Sequence, residues 1–162
     1  MLIRKQSGTK NQTGLTLVES MIAMLVISIG LLGIAALQIT AMSQNSSALN
    51  HSQAVWIAYN MSDRIRANMI QFANYDGVDT TSGYSQNCMA SVCTNAQMLT
   101  ADAADWTTLV ASLPGGRGVI SSNADGLLVS VMWDDEGTGA TGTNCGSNPD
   151  VDLTCYTLAV AQ

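Results

Sequence analysis

The sequence predicts an α+β protein: one long N-terminal helix, over about residues 15–72, packed against a small antiparallel β-sheet head. Three observations carry that prediction. From Ser20 to Ser62 the chain has no Asp, Glu, Lys or Arg, and from Gln38 to Phe72 it has no Pro or Gly. After Asn74, turn-forming residues replace the helical pattern. Short segments with strand-like alternation then follow. The second half of the helix and one face of the sheet both need covering, and each can cover the other.

Charge divides the chain before the helix begins. Residues 1–14 carry Arg4, Lys5 and Lys10 and no acid, whereas all 12 acidic residues lie beyond them, against Arg64, Arg66 and Arg117. The net charge of the whole is −6. A body this acidic and this poor in Lys argues against a nucleic-acid partner, because gripping a phosphate backbone takes clustered Lys and Arg.

The first half of the helix reads as a membrane span. Residues 17–37 are apolar all round except for Glu19 and a few small polar residues. About 20 such residues cross a hydrocarbon core of roughly 30 Å. The basic leader places the N-terminus in the cytoplasm and the head across the membrane. A secretory signal peptide shares the basic start, but its apolar core is shorter, about 7–15 residues. Glu19 is the unusual residue. An ionisable group inside an apolar segment is costly and by default marks function. Gly30 and Gly33 lie within the span and serve either close helix packing or local bending.

The second half, residues 38–73, is expected to be amphipathic. Ile39, Met42, Leu49, Trp56, Tyr59, Ile65, Met69 and Phe72 recur at helical spacing and are read as its buried face. A continuous helix to Phe72 would be roughly 85 Å long.

The head, residues 74–162, begins with the turn chemistry of Asn74–Gly83. A short helix is expected over Asp102–Leu113, with Trp106, Leu109, Val110 and Leu113 on one side and acids at its start, ended by Pro114-Gly115-Gly116. Strands are expected at Gly118–Ser121, Leu127–Trp133 and Tyr156–Val160. Ser122–Gly126 supplies the hairpin turn between the first two. The long loop Asp134–Asp152 is acidic and rich in Gly, Thr and Asn.

Four cysteines, Cys88, Cys93, Cys145 and Cys155, suggest two disulfides in an extracytoplasmic head. Three connectivities are possible. The short loops favour Cys88–Cys93 and Cys145–Cys155. Zinc fits poorly, because neither pair has C-x-x-C spacing and the sole histidine, His51, is far away in sequence. No cofactor is expected. Asp134, Asp135, Glu136, Asp150 and Asp152 offer oxygen ligands of the kind Ca²⁺ takes, but their spacing matches no EF-hand loop. His51 reads as a solvated surface residue, and Asp63, Arg64 and Arg66 as a charged patch that lies at the surface or pairs with neighbours. No catalytic constellation appears, so the chain is not expected to be an enzyme.

Gly14-Leu15-Thr16-Leu17-Val18-Glu19 followed by the apolar helix resembles the class III signal of type IV prepilins. Ile29–Gln38, Asp63–Asn68, Trp106 with Leu113–Gly116, and Val129-x-Val131-x-Trp133 resemble the PilV-type minor pilins in particular. The resemblance implies a type IV pilin-like fold. It also implies cleavage between Gly14 and Leu15 by a prepilin peptidase, N-methylation of Leu15, and an inter-subunit contact from Glu19 to the terminal amine of a neighbour. The implied protein is an inner-membrane single-pass subunit with a periplasmic head, later incorporated into the pilus at the cell surface. Its implied partners are the major pilin, other minor pilins, the inner-membrane assembly platform and the bilayer. Leu15 stands where the family usually has Phe, and no Pro is present in the membrane helix to imply a kink. A type II secretion pseudopilin uses the same signal. A membrane-anchored extracytoplasmic binding domain is the alternative from another class.

Overall fold

The computed structural model describes residues 16–89, 92–146 and 148–162. Helix α1 runs Leu17–Ala67 and helix α2 runs Asn95–Val110, with the strands β1 (Arg117–Asn123), β2 (Gly126–Trp133) and β3 (Thr154–Ala161) following. The chain falls into two compact units, Met1–Ser43 and Gln44–Gln162, and the α1 residues from Gln44 onward belong to the second.

The three strands form one antiparallel sheet in the order β1-β2-β3. Leu127, Val129 and Val131 alternate inward along β2 and, with Ile120 of β1 and Val160 of β3, are buried against α1 and α2. The expected hairpin forms, with Asn123 paired to Gly126. Gly126 has φ +143°, and a Cβ there would lie 2.4 Å from the Val160 carbonyl oxygen, so the turn position requires glycine.

The core corrects the expected face of α1. The buried residues are Ala54, Ile57, Ala58, Met61, Ser62 and Ile65. Of the expected stripe, only Ile65 and, beyond the helix, Phe72 are buried, whereas Leu49, Trp56 and Tyr59 are about half exposed or more. Both stripes have helical spacing, and the buried one uses small residues. Ala54, Ala58 and Ser62 at intervals of four let other elements approach the helix axis. Trp106 of α2 takes advantage of this, donating its indole N–H to the Ile57 carbonyl at 3.3 Å while itself fully buried.

The helix ends also differ from expectation. α1 stops at Ala67 rather than Phe72, and a 3₁₀ segment, Met69–Tyr75, follows. Asn68 breaks the helix with φ −120° and ψ 50°. Its amide finds partners elsewhere, which is the general reason Asn is weak in helix interiors. α2 begins at Asn95 rather than Asp102. Thr94 and Gln97 form a complete capping box there. No acid lies in its first turn, and Asp102 sits mid-helix and buried. The strands extend past their expected limits by up to two residues. Under the outer face of the sheet, Ala140 and Leu153 of the long loop pack on Met132 as a small second core.

Candidate functional site

At the N-terminal end of the described chain, Thr16 precedes the first residue of α1, and its hydroxyl accepts from the Glu19 backbone N–H at 3.4 Å. Thr16-x-x-Glu19 has capping-box spacing, and this contact is its first half. Glu19 is exposed in the first helical turn, where a carboxylate favours the helix dipole. Gly14 and Leu15 lie outside the described residues.

From Met21 onward the helix is exposed throughout the first unit. Leu25, Ile29, Leu32 and Leu37 are each more than half exposed, and the helix is long and apolar enough to cross a membrane. Its hydroxyls are satisfied locally, with Ser28 donating to the Met24 carbonyl at 2.7 Å and Thr40 to that of Ala36 at 3.2 Å. A Cβ on Gly30 or Gly33 would meet nothing within 4 Å. Neither glycine packs against another element among the described residues, so a close-packing role points to another helix.

At the other end of α1 the structure assembles a polar network. Arg64 is its centre. Its Nη1 bonds to Asp102 Oδ1 and to Asp105 Oδ2, each at 3.0 Å, and its Nε donates to Asn60 Oδ1 at 3.0 Å. Burial disfavours the guanidinium charge, but the bonds to Asp102 and Asp105 outweigh it and raise the Arg64 pKa. The other Asp102 oxygen accepts from the Tyr75 hydroxyl at 2.6 Å. Asn68 donates to that hydroxyl at 3.3 Å and to the Asn95 carbonyl at 2.8 Å. Burial, and then the bond to Asp102, push the Tyr75 phenol well above its usual range. α1, the 3₁₀ segment and α2 are thus tied by side chains from each.

Only part of this network was expected. The sequence leaves Arg64, with Asp63 and Arg66, either at the surface or paired with neighbours. Asp63 and Arg66 do form an exposed pair at 3.6 Å, but Arg64 turns inward. No local pattern groups Asn68, Tyr75 and Asp102, which lie 7 and 27 positions apart. The available signal was Asp102 between Ala101 and Ala103 in an otherwise apolar helix turn. A cleft of about 450 Å³ opens beside the network, walled by Gln86, Met98 and Cys88. Its charged groups, Arg64, Asp102 and Asp105, are already paired with one another.

The remaining sequence candidates separate. Cys88 is bonded to Cys93, and Cys145 to Cys155. His51 is exposed but not isolated, since its ring meets those of Trp133 and Tyr156 edge-on at 5.9 Å. Asp134 accepts from the backbone N–H groups of Gly139 and Thr138 and so closes its own loop. Asp135 turns instead to α1, accepting from Ser47 and Asn50 there and from the Trp133 indole of β2. Asp152 accepts from Asn144 at 3.3 Å. Among the described residues, no group of three or more His, Cys, Asp and Glu side chains converges as metal ligands would. The Asp134, Asp135 and Asp152 carboxylates thus accept from donors within the chain.

Two family profiles match this chain. The prokaryotic N-terminal methylation motif matches residues 9–35. Type IV pilin Tt1218 matches residues 36–104. No curated protein and no solved structure gives a significant match. The first match covers Gly14, Leu15, Glu19 and most of the exposed apolar helix. The second covers the rest of α1 and the Arg64–Tyr75–Asp102 network. The two run without a gap from residue 9 to residue 104, over a long helix backed by a small antiparallel sheet, and the chain belongs to the type IV pilins.

Proposed function

We propose that this pilin is a minor subunit of PilV type that helps initiate assembly and enters the fibre. Pilins are structural subunits, and the chain's prepilin motif implies processing by a peptidase and assembly with other pilins. The finer reading assigns residues 1–14 to a leader, 15–37 to the membrane and assembly half of the helix, 38–73 to its second half, and 74–162 to the head. A prepilin peptidase cuts between Gly14 and Leu15, and Leu15 becomes the N-methylated first residue. The cytoplasmic leader is thereby removed, and the periplasmic head is carried outward as the fibre grows, to serve adhesion and twitching motility. The assembly platform in the inner membrane, the major pilin and other minor pilins are its partners.

The observation that carries this reading is Glu19 at the start of an apolar helix that no other element covers among the described residues. A carboxylate in that setting needs a positive partner. Cleavage creates a terminal amine four residues before Glu19 in every copy. The Glu19 of one subunit then meets the amine of its neighbour, which fixes their register. The bare glycines Gly30 and Gly33 suit close approach of a second helix.

The test is Glu19→Ala in the full-length chain. Cleavage should persist, while methylation or entry into pili should fall. Wild-type incorporation and wild-type pilus number would sink the role given to Glu19. Incorporation into a secretion pseudopilus instead of a pilus would favour the pseudopilin reading.

A further inference from the structure

We propose that the outer edge of β3 is a docking edge that pairs with an extended segment from the head of another pilin subunit. The inference rests on the chain assembling with other pilins and adds to it a specific contact.

The sheet has two edges, and the fold treats them differently. The β1 edge is covered by the chain itself. The Gly77 N–H donates to the Ile120 carbonyl at 2.9 Å, and the Ile120 N–H to that of Val78 at 2.8 Å. The Gly118 N–H donates to the Thr80 hydroxyl at 2.9 Å, and the Ser122 N–H to Asp76 at 2.7 Å. Residues 76–80 thus satisfy that edge along its length. Among the described residues, β3 pairs with β2 alone, and no other backbone group bonds to it.

Soluble proteins blunt an open edge with charge, proline, a bulge or a cover. The Gly142 backbone and the Cys145–Cys155 disulfide hold the long loop against the start of this edge, but past Cys155 the strand has none of these. Leu153 to Gln162 contains no charged residue and no proline. The pairing with β2 is unbroken from Gly126↔Ala161 to Trp133↔Thr154. The groups left open are main-chain donors and acceptors in strand spacing. The chemistry that satisfies them is another extended backbone, as in strand addition.

The surroundings narrow the occupant further. Tyr156 of β3 lies close to Tyr59 of α1. Tyr59 is 49% exposed, and Trp56, three residues earlier on the same side of the helix, is 57% exposed. A strand added to β3 lies beside these aromatics, so every second residue facing them should be apolar. An uncharged edge flanked by exposed aromatic rings suits a neighbouring subunit held at high local concentration in a fibre.

The test uses the full-length chain in its native cells. A photoreactive benzoylphenylalanine at Ala159, exposed on β3, is compared with one at Ser121, exposed on the covered strand β1. The expected result is a covalent adduct with a pilin subunit from position 159 and none from 121. In parallel, the double variant Thr157→Lys with Ala159→Lys should reduce incorporation into pili by roughly tenfold or more, while Ser121→Lys leaves it unchanged. Membrane level and N-terminal processing should match wild type in both. Unchanged incorporation of the double variant, or an adduct from 159 to a protein that is not a pilin, overturns the proposal. If the lysine pair lowers the melting temperature, the adduct pattern on the otherwise native chain decides. If the unmodified chain itself never enters pili, the minor-pilin reading fails instead, and the adduct from 159 still reports what covers the edge.

Discussion

Replacing Asp102 with alanine tests the network that joins α1 to α2. The carboxylate is buried, accepts from the Tyr75 hydroxyl and pairs with Arg64. Removing it leaves the fully buried Tyr75 hydroxyl without an acceptor, which costs about 1–3 kcal/mol. Arg64 loses less. Its side chain is 29% exposed and keeps Asp105 and Asn60, so that loss is held to about 1 kcal/mol. The sum is about 2–4 kcal/mol. At roughly 4 °C per kcal/mol for a domain of this size, Tm falls by about 8–16 °C. Asp102→Asn keeps an acceptor for Tyr75 and should cost distinctly less. Melting of the full chain in detergent, followed by near-UV circular dichroism of the buried Trp106 and Trp133, reads the change. An Asp102→Ala variant within about 0.5 kcal/mol of wild type, the usual scale for a surface substitution, would refute the network's role.

Two further outcomes follow from single groups. The Ser62 hydroxyl is buried and has no hydrogen-bond partner among the described residues, so Ser62→Ala should keep or raise stability, by up to about 1 kcal/mol, in the same melting assay. A loss above that size would mean the hydroxyl is bonded. The second outcome concerns acid. Burial opposes the Asp79 charge, but the Arg117 and Thr81 bonds outweigh it and lower its pKa. Asp135 is lowered likewise, by Ser47, Trp133 and Asn50 against its own burial. Groups with depressed folded pKa values stabilise above the ordinary carboxylate pKa, about 3.9, and that stability is lost as pH falls through the folded values. The head should therefore melt earlier at pH 3 than at pH 7, and Asp135→Asn should flatten the difference. A pH-independent Tm would contradict both assignments.

Residue chemistry that acts locally was legible in the sequence. Ser122–Gly126 announced a hairpin because a turn at Gly126 needs a conformation that glycine adopts readily. Val129, Val131 and Trp133 announced the inner face of β2 because strand alternation has only two solutions. Cys88 and Cys93 pair within one short loop, as do Cys145 and Cys155. The apolar run after Glu19 announced a long exposed helix for the same local reason.

What the sequence hid depended on distant partners. Trp56 and Tyr59 look more like core than Ala54 and Ala58, and both sets have helical period. Only the approach of α2, with Trp106 bonded to the Ile57 carbonyl, decides between them. Arg64 and Asp102 are 38 positions apart, and nothing local marks one as the partner of the other. The end of α1 at Ala67 depends on Asn68 reaching the Asn95 carbonyl, which is equally remote. The start of α2 is different. Thr94-x-x-Gln97 is a capping signature readable in the sequence itself, upstream of the acids Asp102 and Asp105.

The central claim is that Gly14–Leu15 is cut and that the helix behind it then becomes a fibre subunit. Mass analysis of the N-terminus of the mature protein tests this directly. The account predicts a chain beginning at Leu15 and carrying one methyl group on its amine. A chain beginning near Met42, or one retaining Met1 and the basic leader, would contradict it.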